Sequence, residues 1–129
     1  MRFNILVTGA LYSSQSAYSA LQFCEAAITA GHSVSQVFFY QDGATLASAL
    51  SVPVADEFHA VDAWVEYAER TSTDLVVCVS AAERRGILGS EQAIEFDKAT
   101  HNLHASFKVE GLGALHEASL ASDRTVSFK

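Results

Sequence analysis

Apolar positions along this chain follow two rhythms that take turns. Short unbroken apolar runs mark strands: residues 3–8, residues 34–40 with the block Val37-Phe38-Phe39, and residues 75–79, where Leu75-Val76-Val77 leads straight into Cys78. Branched apolar runs without alternation suit strands covered on both faces, which is the habit of parallel sheets. Between these runs the apolar residues recur every three or four positions. Ala17, Ala20, Leu21, Cys24, Ala27 and Ile28 line one face of a helix predicted over 15–30, with Ser13 or Ser14 to cap it and Gly31 to close it. Phe58, Val61, Trp64, Val65 and Ala68 do the same over 56–70, and Glu57, Asp62, Glu66 and Glu69 fall mostly elsewhere on the circle.

The remaining elements are shorter. Residues 44–50 suit a short helix, and Val52-Pro53-Val54 an extended connector, because proline disfavours a helical residue before it. Ser90-Glu91-Gln92 has the form of a helix start. Residues 105–109 read as a short strand, Gly111-Leu112-Gly113 opens a helix over 115–122, and residues 124–128 alternate as an edge strand. This alternation predicts an α/β fold, a three-layer α/β/α sandwich on a mainly parallel sheet of about five strands. Residues 1–129 read as one domain, long enough to bury a real core and too short for two.

Composition narrows the function classes. Charged residues make up 18 % and apolar ones 50 %, so the charged surface is thinner than usual, which suits either a compact α/β core with Ala-rich helices or an apolar surface covered by partner subunits. A formal charge of -7, with no basic run beyond Arg84-Arg85, makes a direct grip on a polyanion such as tRNA a poor fit. Two cysteines in a chain this size are no disulfide framework and point to a reducing compartment. The apolar stretch at the N-terminus is too short for a signal-peptide core, and no segment approaches a membrane span. A soluble, cytoplasmic protein is expected.

Candidate chemistry centres on Cys78. Reactive groups in parallel α/β sheets gather at the carboxyl ends of strands, which is where this thiol falls. A thiol reacts as thiolate and is helped by a helix N-terminus or a nearby cation. Ser80-Ala81-Ala82 can start a turn or helix aimed back at the sulfur, and Arg84 and Arg85 lie close in the chain; spacing does not decide which of the two faces Cys78. Cys24 lies on the inward stripe of its helix and reads as a small core hydrophobe. None of His32, His59, His101, His104 and His116 sits in a recognisable Cys-His signature, and the spacing of His101 and His104 lacks the second pair of a zinc site. The loop Thr8-Gly9-Ala10-Leu11-Tyr12-Ser13-Ser14 presents hydroxyls at a helix start, but it has one glycine and no lysine, so no phosphate-binding fingerprint is met. Single-thiol chemistry remains: a thioester, a mixed disulfide or a persulfide.

Cys78-Val79-Ser80-Ala81-Ala82-Glu83-Arg84-Arg85-Gly86 resembles the cysteine segment of sulfur-relay subunits in the DsrE/DsrF family. The likeness continues in order through Met1-Arg2-Phe3, Val7-Thr8-Gly9, Phe38-Phe39-Tyr40, Asp56-Glu57-Phe58, Gly111-Leu112-Gly113-Ala114-Leu115, Glu117-Ala118-Ser119-Leu120 and Asp123-Arg124. It is weak over 91–104, and Cys24 is not part of the family pattern. The resemblance implies a sulfurtransferase carrying sulfane sulfur on Cys78, with no metal or organic cofactor. It implies TusB-like and TusC-like companions in a heterohexamer, a TusA-like donor and a TusE-like acceptor, and 2-thiouridine at the tRNA wobble position as the end product. A non-catalytic assembly role and the sulfur oxidation served by related DsrE proteins stay open at this point.

Overall fold

The computed structural model describes all residues, 1–129. Strands β1 (Arg2–Val7), β2 (Ser33–Phe39), β3 (Asp74–Cys78), β4 (Phe107–Glu110) and β5 (Arg124–Phe128) alternate with helices α1 (Ser16–Thr29), α2 (Ala60–Thr71), α3 (Val79–Arg84), α4 (Ser90–Glu95) and α5 (Leu112–Leu120). A 3₁₀ segment, Gln41–Ala47, follows β2. The five strands form one sheet in the order β4-β3-β2-β1-β5, and every pairing is parallel. This is the predicted α/β sandwich, and β5 is indeed an edge strand.

The strand order dictates where the helices lie. Steps from β1 to β4 all run the same way, so right-handed crossovers keep α1 and α2 on one face. The return from β4 to β5 jumps back past three strands and puts α5 on the other. The two faces differ in cohesion. On the first, Phe3 meets Phe23 of α1 edge-on at 5.2 Å, and Phe39 meets Trp64 of α2 at 5.5 Å, with Tyr67 5.8 Å beyond. Ile5, Val7, Val37, Leu75 and Val77 fill the space between, all fully or almost fully buried.

The second face combines the half-buried Ala114 and Leu115 of α5 with several polar contacts. Asn4, buried in the middle of the sheet, donates to Ser119 Oγ of α5 at 3.0 Å and to Thr125 Oγ1 at 3.3 Å. Gln36 donates to the Ala114 carbonyl, and Ser35 shares a hydrogen bond with Ser122. No residue of α5 is fully buried.

Local boundaries shift from the sequence reading in several places. Helix α1 ends as predicted: Gly31, at φ 85°, lets its amide reach the Ile28 carbonyl while the His32 amide reaches that of Ala27. At its other end the Ser14 hydroxyl accepts the Ser16 amide at 3.0 Å. Helix α2 begins at Ala60, after the connector, because Val54 to His59 stay extended or turn, with Glu57 Oε1 accepting the Val54 amide. The helix predicted over 44–50 is instead the 3₁₀ segment, starting earlier. Its Gly43 donates to the Thr8 carbonyl across the end of β1, which pins the segment over the sheet edge. Helix α5 starts at Leu112 and takes Gly113 into its first turn.

Candidate functional site

Cys78 is the last residue of β3 and the N-cap of α3. The apolar run Leu75-Val76-Val77 makes the strand, and the small residues Ser80-Ala81-Ala82 allow the chain to coil at once into a helix. The first amides of any helix lack intrahelical partners, and Cys78 directly precedes them in the chain. Its one hydrogen-bonding neighbour is Ser80, whose Oγ lies 3.5 Å from Sγ. The residue is only 1 % exposed and lines none of the cavities.

The two arginines named with it go elsewhere. Arg85 donates from Nε and Nη2 to Asp42 Oδ1 at 3.0 and 2.8 Å, and from Nη1 to the Ala81 carbonyl at 3.1 Å. It therefore clamps the C-terminal end of α3 to the 3₁₀ segment. Arg84 points to the outer surface, where it lines a groove with Glu83, Leu88, Phe96 and Lys98. Neither guanidinium bonds the sulfur. Sequence reasoning did not single out Ser80 as a neighbour of the sulfur or Asp42 as the anchor of Arg85. The first lies two positions past the strand end, a spacing that could have found it; the second carries no local signal.

Cys24 sits wholly buried on the inward stripe of α1. Removal from water pushes its thiol up to about 12, with the hydroxyl of Tyr67 opposing and Glu25 adding to the rise. This thiol is inert at neutral pH. Tyr67 is likewise pushed up to about 12, chiefly by burial.

The histidines do not converge on either thiol. His32 is bonded to the N-terminal amine, His59 pairs loosely with Asp62, and His104 accepts the Ser106 amide. No group of three or more His, Cys, Asp or Glu side chains is arranged to hold a metal ion. In the loop after β1, the hydroxyls of Ser14 and Ser16 pack onto Gly9, and Thr45 Oγ1 takes the Leu11 amide. Ser16 Oγ itself is buried without a hydrogen-bond partner, and no lysine or arginine lines the cavity beside Ser14 and Gln15. No helix is long and apolar enough to cross a membrane.

Sheet and site together define an all-parallel three-layer α/β protein with one cysteine at the head of a short helix, on a strand inside the sheet. Residues 1–128 match the model of the DsrE/DsrF-like family, and the chain belongs to that family. It is 44 % identical over 128 residues to a protein of Vibrio vulnificus (strain YJ016) named sulfurtransferase TusD homolog, covering 99 % of this chain and 98 % of that one. A protein of the same name from Vibrio parahaemolyticus serotype O3:K6 is 45 % identical over the same length. The crystal structure of the ychN protein from E. coli superposes with a TM-score of 0.74 at 18 % identity, covering 99 % of this chain and all of that one, a likeness of fold. The resemblance read around Cys78 is thus borne out along the whole chain.

Proposed function

We propose that this chain is a sulfurtransferase subunit of a sulfur-relay system, carrying a persulfide on Cys78. The observation that carries the reading is the thiol at the junction of β3 and α3, in a chain 44 % identical to a named TusD homologue. Chemically, the Cys78 thiolate attacks the outer sulfur of a donor persulfide. A new S–S bond forms on Cys78, the donor S–S bond breaks, and the donor leaves as a thiolate. Handing the sulfur on repeats the step with Cys78 as the donor. Neither step needs an external base beyond thiolate formation, nor a change of net redox state, which accords with a site that has no histidine partner. Helix-head amides stabilise the negative charge on either sulfur species.

The finer assignments extend this reading. TusB-like and TusC-like subunits complete a heterohexamer, a TusA-like protein delivers sulfur, and a TusE-like protein receives it for 2-thiouridine at the tRNA wobble position. Passing sulfur to a carrier lets a chain of charge -7 serve tRNA thiolation without gripping RNA. Exchange requires the buried sulfur to become reachable, so α3 and the 3₁₀ segment must part locally, and the Arg85–Asp42 pair spans that seam.

Burial of Cys78 favours one competing reading, a structural subunit whose cysteine only packs. Two measurements separate them. Treated with a persulfide donor and weighed, wild-type protein gains sulfur and Cys78→Ser does not, whereas Cys24→Ser still does. In cells, Cys78→Ser abolishes tRNA thiolation. Equal loading of Cys78→Ser, or full thiolation in its presence, would overturn the relay role.

A further inference from the structure

The largest cavity on the molecule is not at the thiol. It is an open groove of about 790 Å³ between the C-terminal end of α3 and the turn after α4. Two cations face it, Arg84 and Lys98, and neither forms a salt bridge or a side-chain hydrogen bond. Of the eight basic residues, Arg70, Arg85 and Lys108 are ion-paired, to Glu25, Asp42 and Asp74, while Arg2, Arg124 and Lys129 lack a salt bridge as Arg84 and Lys98 do. In a chain with eight basic and fifteen acidic residues, two unpaired cations sharing one concavity are a local reversal of the prevailing sign. Phe96, 45 % exposed, and Leu88 give the same groove an apolar wall. Glu83 also lines it, but bonds neither cation.

We propose that this groove is the docking site for an acidic, extended segment of a partner protein, with an apolar side chain seated against Phe96. Clustered cations recognise acidic motifs, and apolar contact beside them fixes the register. In a chain of net charge -7, two cations lining one concavity offer an acidic segment a favourable contact that orients it. An open groove of about 790 Å³ suits a peptide better than a small anion, which needs an enclosing shell of donors. Its use rests on the relay reading: α3 has Cys78 at one end and Arg84 at the other, roughly 9 Å apart along the helix axis. A segment bound in the groove brings its protein to the thiol.

The test uses a fluorescein-labelled peptide of alternating Asp and Glu around one Phe, and a matching peptide with Lys in place of the acids. Fluorescence polarisation with the full chain is expected to show the acidic peptide binding and the basic one not, with affinity falling as salt rises. Arg84→Glu with Lys98→Glu should weaken binding roughly tenfold or more. Phe96→Ala should weaken it as well, and Arg124→Glu, outside the groove, should not. Because Arg84 and Lys98 are exposed, the neutral pair Arg84→Gln and Lys98→Gln supplies a second variant should reversal harm folding. No binding of the acidic peptide, or binding unchanged by both charge variants, overturns the proposal. So does displacement of the peptide by inorganic phosphate at equal affinity, which would make the groove a small-anion site. Persulfide loading is measured separately on the same variants: lost loading with intact peptide binding is a failure of the relay reading alone.

Discussion

One substitution at two glycines should have opposite effects. Gly43 lies in the 3₁₀ segment where it crosses the end of β1, and a Cβ built there would stand 2.1 Å from the Val7 carbonyl oxygen and 2.9 Å from its carbon. Those atoms belong to a central strand and cannot rotate aside. Gly43→Ala must lift the 3₁₀ segment by about 1 Å, the shortfall from normal contact, which strains the Gly43 amide bonds to the Thr8 and Tyr40 carbonyls. Overpacking of this kind costs about 1–3 kcal/mol and a weakened buried backbone hydrogen bond about 1 more. The expected loss is about 2–4 kcal/mol, or a Tm lower by roughly 8–16 °C for a chain of this length. Gly113 in α5 has open space around it and no positive φ, so Gly113→Ala should stabilise by about 0.5 kcal/mol through helix propensity and a less free unfolded chain. Urea titration followed by the fluorescence of the single tryptophan measures both. Because the lifted segment packs against β3 and α3, Gly43→Ala should also speed reaction of Cys78 with an aromatic disulfide reagent in a Cys24→Ala background. A Gly43→Ala midpoint within about 0.5 kcal/mol of wild type, or equal effects at both glycines, would refute the steric reasoning.

Other expectations are simpler. Trp64→Ala removes a fully buried ring packed edge-on between Phe39 and Tyr67 and should cost about 3–5 kcal/mol, read by circular dichroism during urea unfolding. At alkaline pH the protein should lose stability. Folding raises Cys24 from 9.0 and Tyr67 from 10.0 to about 12 each, so above pH 9 the unfolded chain releases protons first and each group erodes stability by up to about 1.4 kcal/mol per pH unit towards pH 12. Cys24→Ala combined with Tyr67→Phe should flatten that limb of the stability curve, and an unchanged limb would show that other groups produce it. Asp42→Asn should barely alter stability, since its carboxylate is mostly exposed, yet it frees Arg85 from the seam and should raise the rate of Cys78 alkylation; an unchanged rate would remove the ion pair from the control of access.

The strand pattern was legible because unbroken apolar runs have few other homes than a doubly covered parallel sheet, and β5 was found by its alternation. Cys78 was placed at a strand end for the same reason. What covers the thiol was not legible, since strand periodicity assigns a side chain to a face but says nothing about the element that closes the strand's end. The 3₁₀ segment that packs against both α3 and β3 was read as a short helix starting later, at residue 44. Arg85 illustrates the same limit: its neighbours in sequence offered a thiol, but its partner is an aspartate 43 residues away. Helix α5 was expected from residue 115, with Gly111-Leu112-Gly113 opening it, and it begins at Leu112 because Gly113 is tolerated as its second residue.

The partly polar attachment of α5 has a consequence for how the protein breathes. Hydrogen bonds through Asn4, Gln36 and Ser35 are exchanged for bonds to water at small net cost, whereas opening the α1 and α2 side exposes Phe39, Trp64 and Tyr67. The amides of α5 should therefore trade deuterium through local opening long before those of β2 and β3, which wait for global unfolding. The sandwich has one slice that peels and one that does not.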